Sequence, residues 1–538
     1  MSEISSPDEP RPPIRLWFRA AVLAILVVWL AVRVVYWNGF YSEDSPGYVT
    51  DAIYAATGNY HARHDVNGLN VGTSLPVAVP IKIFGKSEVA LSIWPLLCSF
   101  LGMASLGAAA AMLFGRAYGL LAALLYATYP GDIFFSTVVM PDAIQAGWLS
   151  VALFLIVRAF ATAAPPRYRI LAAAGLAMGI CHLIRANDVI LVPVGLSAVV
   201  LLARLWKKAP AGVVVRGCMV FLSGWIFVNL VEGLVYLSSA GDFFHRFRVL
   251  AAHYGTLASH ERWGLNADLT TIPFSIFPFV PWWMHGGWGS FNPGQAYHAL
   301  TFVAAIVALA GGVAALALES RSIPAPARAG FALGALWIAW PLLFHQFGSQ
   351  SLTEFVPMHR LPRHLVVYAP GAIFATVAGC FLMTEAAARW RVSRRRMAVM
   401  LIPVLLLQLG ASVNGITVAH EEFQRIKRTY VRIRARLPQD VNTIVADPGD
   451  LSFLDFWLNP LGTERVTMAA FARYSSCDQL TAGVVVTRSN PGWEHFGAPV
   501  IQDTVRRLPC LVHPPPSWRL LYDGYPEKVF VIGGGLAR

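Results

Sequence analysis

Long apolar runs separated by short polar breaks fill most of this chain. The first, residues 16–37 (LWFRAAVLAILVVWLAVRVVYW), is long enough to cross a bilayer as a helix. Further runs fall near 89–113, 117–130, 143–160, 169–184, 189–204, 212–238, 297–317, 329–346, 366–384 and 397–415, which predicts about eleven spans. Residues 1–15 are polar and proline-rich and lack a small-residue cleavage site, so the first run reads as a retained span. Beyond 415 the pattern changes. Strand-like runs at 443–446, 483–487 and 529–532 are separated by Pro, Gly and Asp, and 420–436 (HEEFQRIKRTYVRIRAR) is helix-like. The expected fold class is an all-α polytopic membrane protein with a C-terminal α/β domain.

Composition agrees. The chain is 56% hydrophobic and 13% charged, against roughly a quarter charged in a soluble protein. The net charge of +12 invites a nucleic-acid reading. That reading is rejected because the basic residues follow the topology. With the N-terminus inside, beside Arg11, Arg15 and Arg19, the short inner loops hold Arg116, then Arg167 and Arg169, then Arg204, Lys207 and Lys208. Arg321 and Arg328 follow, then Arg389, Arg391 and the run 394–396. Residues 38–88, about 131–142, 239–296 and about 347–365 then lie outside, as does the tail. The expected organisation is a cytoplasmic segment 1–15, a membrane domain 16–415 and an extracytoplasmic domain 416–538, in the inner (plasma) membrane with the tail toward the periplasm. Cys98, Cys181, Cys218 and Cys380 fall in spans and read as packing residues. Cys477 and Cys510 are the two cysteines of the tail and are free to pair in an oxidising compartment.

Charged residues at the outer face are the candidate chemistry. Glu43 and Asp44 open the first outer loop. Asp142 starts a span, Arg185 and Asp188 sit in an outer hairpin, and Arg363 precedes the tenth span. Any one of these serves equally well as an interfacial anchor or a salt-bridge partner. As a set at one depth they point to a polar cavity. The region 239–296 is rich in aromatics, among them Trp263, Trp282, Trp283 and Trp288. These line a sugar site or, as readily, form the interfacial belt. His359 and His364 flank Arg363, but a lone histidine is more often structural, so no metal ligand is assigned. No CxxC, HExxH, Walker loop or GxGxxG signature is present.

The motifs EDSPGYVTDAIYAATGNYH, VGTSLPVAVPIKIFG, YATYPGDIFFSTVVMPDAIQAG, HLIRANDVILVP and PRHLVVYAPGAIFATVAG occur in that order. This order resembles the GT-C membrane glycosyltransferases, in the branch of dolichyl-phosphate-mannose-protein mannosyltransferases and lipid A aminoarabinose transferases. The resemblance covers roughly residues 16–385. It implies a GT-C fold and inverting transfer of a sugar from a polyprenyl-phosphate carrier to an extracytoplasmic lipid, glycan or protein acceptor. It implies Asp44 as the catalytic acid-loop residue, with Tyr48 four positions on and Glu43 as competitor. A carboxylate there accepts a proton from, or orients, an attacking hydroxyl. Asp142 matches the second acidic position, which shapes the acceptor side or holds a cation, although a helix N-cap after Pro141 accounts for it equally. Arg185 and Arg363 match the residues that neutralise the carrier phosphate, with lipid head-group contact as the plain alternative. No cofactor is named, and a divalent cation stays open. Partners are the donor, the acceptor and membrane lipids, with no nucleic acid. One departure stands out: Thr73-Ser74-Leu75-Pro76 lies where the aminoarabinose transferases have Lys-Pro, leaving Arg63 or Lys82 as substitutes. A polyprenyl-linked sugar flippase and a non-catalytic scaffold are the other classes. The first predicts paired inverted halves, of which the sequence carries no sign. The second needs no carboxylates at the outer ends of its spans.

Overall fold

The computed structural model describes residues 14–40, 45–62, 67–161, 166–185, 190–257, 295–319, 323–347, 364–389 and most of 406–532, with longer breaks at 489–503 and 524–526. The described residues of the membrane domain are largely helical. In order the helices are α1 (Ile14–Val35), α2 (Ser45–Ala56), α3 (Val71–Phe84), α4 (Glu88–Phe114), α5 (Arg116–Ala127), α6 (Pro130–Phe135) and α7 (Pro141–Ala161). There follow α8 (Tyr168–Ile184), α9 (Val192–Leu201), α10 (Ala211–Ala240), α11 (His245–Leu257), α12 (Gln295–Glu319), α13 (Ala325–Phe347) and α14 (His364–Arg389).

Among the described residues seven helices are long and apolar enough to cross a membrane: α1, α4, α7, α10, α12, α13 and α14. Three shorter apolar helices, Arg116–Ala127, Tyr168–Ile184 and Val192–Trp206, occupy the predicted spans at 117–130, 169–184 and 189–204. The eleventh predicted run, 397–415, falls largely outside the described residues. α14 is the centre of the bundle, with its whole membrane window buried, whereas α1 and α10 are mostly exposed. Exposed Leu23, Val27 and Leu30 on α1 and Phe227, Leu230 and Leu234 on α10 form an apolar exterior. That surface is stable against hydrocarbon and not against water.

The predicted outer loop 38–88 is itself structured. α2 packs against α3, and α3 packs beside α4 and α8. α3 is mostly apolar yet only 14 residues long, with Pro76 and Pro80 inside it. A helix of that length does not cross a bilayer core of about 30 Å.

Among the described residues the C-terminal domain forms a five-stranded mixed sheet. Its strands are β1 (Thr443–Ala446), β2 (Thr467–Ala470), β3 (Gly483–Arg488), β4 (Arg519–Asp523) and β5 (Glu527–Ile532), in the order β2-β1-β3-β5-β4. β1 runs parallel to β2 and β3, and β5 runs antiparallel to β3 and β4. The helix α15 (Pro448–Leu458) follows β1, and the described residues between 406 and 436 are helical. Side chains alternate along the strands as the pleat requires. Ile444, Ala446, Val484, Val486, Val529 and Val531 share one apolar core with Phe40, Tyr48, Val77, Leu91 and Val139 of the membrane domain. Val445, Val485 and Phe530 face the opposite way, onto Leu508, Leu511 and Trp518. Cys477 and Cys510 of that outer layer are joined in a disulfide. Cys98, Cys181, Cys218 and Cys380 are free thiols in the helices.

Candidate active site at one end of the bundle

α7 starts at Pro141, whose missing N–H costs nothing in the first turn. Asp142 follows, and its negative charge suits the positive end of the helix. The side chain is fully buried and does not cap its own helix. Instead its Oδ1 accepts from Arg185 Nη1 at 3.0 Å. Its Oδ2, also buried, has no hydrogen-bond partner among the described residues. Arg185 is placed by the end of α8: the helix closes at Ile184, and Arg185 turns into an extended conformation. Its side chain keeps 15% of its surface exposed. A half-satisfied carboxylate and a partly open guanidinium thus face each other at a helix-bundle end. Buried acceptors left unpaired cost about 1–3 kcal/mol, so the free Oδ2 calls for a partner that a site would supply.

α3 forms the neighbouring wall. A Cβ on Gly72 would stand 2.9 Å from the backbone nitrogen of Ile184, so only glycine lets the two helices meet here. Thr73 Oγ1 donates to the Ile184 carbonyl at 3.2 Å, and Trp94 Nε1 donates to the Gly72 carbonyl at 3.2 Å. Asn70 is the residue before α3, where an asparagine ordinarily caps the helix. It makes no cap bond. Its Nδ2 donates to Tyr48 Oη at 2.9 Å instead. Tyr48, on α2, is buried with Ser45, Pro46 and Asp51.

The structure therefore brings Asp142 and Arg185 into direct contact and joins Tyr48 to the start of α3, which packs on the end of α8. Glu43, Asp44, Asp188, Arg363 and His359 lie outside the described residues, as do Arg63 and 258–294 with the aromatic cluster. Lys82 is exposed in the last turn of α3. Thr73 and Ser74, at the position of the absent lysine, are buried and serve packing against α8. Among the described residues no group of three His, Cys, Asp or Glu side chains is arranged to hold a metal ion.

Two buried ionic clusters and one part-buried ion pair have no direct signature in the sequence. Arg246 on α11 pairs with Glu232 on α10 and donates from Nη2 to the Leu69 carbonyl at 2.8 Å, while Tyr236 Oη donates to the same carbonyl at 3.1 Å. This cluster fixes the turn just before Asn70. Arg33, near the end of α1, pairs with Asp132 on α6, whose carboxylate also accepts from Ser99. Lys427 pairs with Glu88 at the start of α4. Breaking one partner of a buried pair costs about 3–5 kcal/mol, so the first two tie their elements rigidly. Glu232 and Arg33 were visible as lone charges inside apolar runs, which in a membrane are partnered as a rule; their partners were not.

The family model for dolichyl-phosphate-mannose-protein mannosyltransferase matches residues 76–227, the stretch that carries α4 to α8 with Asp142 and Arg185. The crystal structure of ArnT from Cupriavidus metallidurans in the apo state aligns with a TM-score of 0.57 at 16% identity, over 96% of this chain and 98% of that one. The same protein bound to undecaprenyl phosphate aligns with a TM-score of 0.55 at 16% identity, over 96% and 97%. The archaeal oligosaccharyltransferase AglB from Archaeoglobus fulgidus, in complex with an inhibitory peptide and a dolichol-phosphate, aligns with a TM-score of 0.51 at 11% identity, over 91% of this chain and 72% of that one. A search of the curated proteins finds no match. The fold is that of the GT-C membrane glycosyltransferases, as the order of sequence motifs implied.

Proposed function

We propose that this protein transfers a sugar from a polyprenyl-phosphate carrier to a hydroxyl- or amine-bearing acceptor outside the cytoplasmic membrane, with inversion at the anomeric carbon. The observation that carries the reading is the Asp142–Arg185 contact: a buried carboxylate and a partly exposed guanidinium, 3.0 Å apart, at one end of a GT-C bundle. The solved structures of like fold support the donor class, since ArnT was crystallised with undecaprenyl phosphate and AglB with a dolichol-phosphate.

In this reading Asp44 takes the proton of the acceptor group as its heteroatom attacks C1 of the sugar. The C1–O bond to the carrier phosphate breaks on the opposite face, and the bonding pair leaves with the phosphate. Arg185 neutralises the charge that develops there, joined by Arg363, and a guanidinium suits phosphate because its donors form a planar fork. Asp142 holds Arg185 in place and leaves its second oxygen for the acceptor side or a divalent cation. Tyr48, held by Asn70, lines the first-loop wall. Glu43 is the alternative base. The membrane domain runs with its N-terminus inside, so the site and the sheet domain face outward.

The test is sugar transfer in membranes from radiolabelled polyprenyl-phospho-sugars, with native lipid and protein extract as acceptor. Wild type is expected to label an acceptor, and Asp44→Asn to lose at least about a hundredfold at equal expression, the general-base contribution. Undiminished transfer by Asp44→Asn removes Asp44 as base and moves the test to Glu43→Gln. No label with any donor favours the flippase or scaffold reading over an enzyme.

A further inference from the structure

We propose that the C-terminal domain is a working part of the transfer site: Gln424 and Lys427, with His420, are positioning residues that fix the stretch 37–40 leading into the first outer loop. The inference rests on the glycosyltransferase reading above and adds to it a role for the tail, for which the sequence suggested none in particular.

From Trp37 to Phe40, past the end of α1, the chain is no longer helical, so its backbone groups need partners from elsewhere. For residues 37–40 those partners are recorded and come from two sides. The membrane domain supplies Thr137, whose Oγ1 accepts from the Asn38 amide at 3.1 Å, and the Phe134 carbonyl, which accepts from Asn38 Nδ2 at 3.3 Å. Glu88 Oε1 accepts from the Phe40 amide at 3.1 Å. The tail supplies the rest, from more than 380 residues away. Gln424 Nε2 donates to the Trp37 carbonyl at 2.9 Å. Lys427 Nζ donates to Glu88 Oε2, and to the Asn38 carbonyl at 3.4 Å. His420 Nδ1 meets Asn38 Oδ1 at 3.0 Å. Because the Asn38 amide nitrogen is already donating to Phe134, its oxygen accepts, and His420 carries its hydrogen on Nδ1.

The slot is tight. Gly39 takes φ +77°, and a Cβ there would lie 2.6 Å from the Glu88 carboxyl carbon. Lys427 holds that carboxylate, so it cannot move aside freely. Phe40 packs on Phe456 of α15 with ring centroids 4.5 Å apart, and Lys86 Nζ donates to the Asp455 carbonyl at 2.9 Å. The two strands of the slot lead to the two acidic positions of the site. Residues 37–40 precede Glu43-Asp44, and Phe134–Thr137 precede Asp142. Gln424 and Lys427 thus set where the first outer loop departs relative to α7. A polar grip on backbone carbonyls does this with a precision that apolar packing alone does not give.

The test uses the full-length protein in lipid nanodiscs and two readouts. Amide hydrogen exchange without substrate is followed at residues 37–40, at β1 and at β3. Steady-state transfer is measured from a polyprenyl-phospho-sugar. For Gln424→Ala combined with Lys427→Met, exchange at 37–40 is expected to rise about tenfold or more while β1 and β3 stay within about twofold of wild type. The kcat is expected to fall about ten- to a hundredfold with donor KM within about threefold, since misplacement of a catalytic loop costs rate more than binding. Lys427→Arg should restore most of the loss. Unchanged exchange at 37–40, or raised exchange with unchanged kcat, overturns the proposal. If the double variant loosens the strands too, Gln424→Ala alone, which removes one amide and no charge, carries the same comparison. Failure of the functional reading looks different: wild type itself transfers nothing from any donor, while the exchange comparison is made without substrate.

Discussion

Asp142 and Arg185 stand 43 residues apart in the chain and 3.0 Å apart in space. Their types and their depth were legible in the sequence, because a charge beside an apolar run has few places to go. Their contact was not, because it depends on how far α8 runs before it ends and on the glycine that lets α3 close over that end. Asn70 makes the same point: its sequence position predicts a helix cap, yet its amide serves Tyr48. His420 carries a prediction at this scale. Partial burial, reinforced by the Lys427 ammonium, holds its imidazole below the ordinary value of 6.5. The unfolded chain therefore takes up the proton first as pH falls. The stabilisation is present in full above about pH 6.5 and is lost on acidification toward the lower folded value. Relative to His420→Asn, whose amide nitrogen replaces Nδ1–H, wild type is expected to lose thermal stability as pH is lowered from about 7.5 to about 5.5. Parallel melting temperatures for the two across that range would show that His420 does not titrate in the slot.

At the scale of elements, the long spans announced themselves by length and hydropathy. The short apolar helices match apolar runs in the sequence, whereas 71–84 does not read as a helix, since a 14-residue stretch with Thr73, Ser74, Lys82 and two prolines fits neither pattern. In the sheet, the central strands β1, β3 and β5 were legible from their valines and isoleucines. The edge strands β2 (TMAA) and β4 (RLLYD) were not. An edge strand has one unpaired side and carries exposed or small residues that blur the alternation. The disulfide Cys477–Cys510 staples the outer layer of this sheet across a separation of 33 residues. In the chain-entropy view closing a loop of that size is worth about 3–4 kcal/mol. Cys477→Ser is expected to lower the stability of the tail by that order and to raise hydrogen exchange in β3 and β5, with little change in the membrane helices; equal protection with and without the bond would contradict this.

The molecule as a whole is less divided than its sequence. Composition changes sharply near 415, which reads as a domain boundary. Yet Phe423, Tyr430, Ile444, Leu454 and Val484 of the tail share one apolar core with Phe40, Tyr48, Val77 and Leu91. Burying a large apolar side chain is worth about 1.5–3 kcal/mol, so a core of this size holds the tail on the bundle. The proposed orientation, with the basic loops inside, is open to a direct test. A cysteine replacing exposed Ala472 should react with a membrane-impermeant maleimide in intact cells, whereas one replacing exposed Lys208 should react only after permeabilisation; the reverse pattern would turn the protein over and place the Asp142–Arg185 end inside. The sequence by itself determined the class of the protein, the order of its apolar segments, the distribution of basic residues between them and the residue types available for chemistry. These are local or additive properties of the chain in a two-phase solvent. Only the tertiary structure decided which charges meet, which helix ends approach closely, and that His420, Gln424 and Lys427 bind residues 37 and 38. Those outcomes depend on contacts between residues tens to hundreds of positions apart, and one sequence holds no record of such pairings.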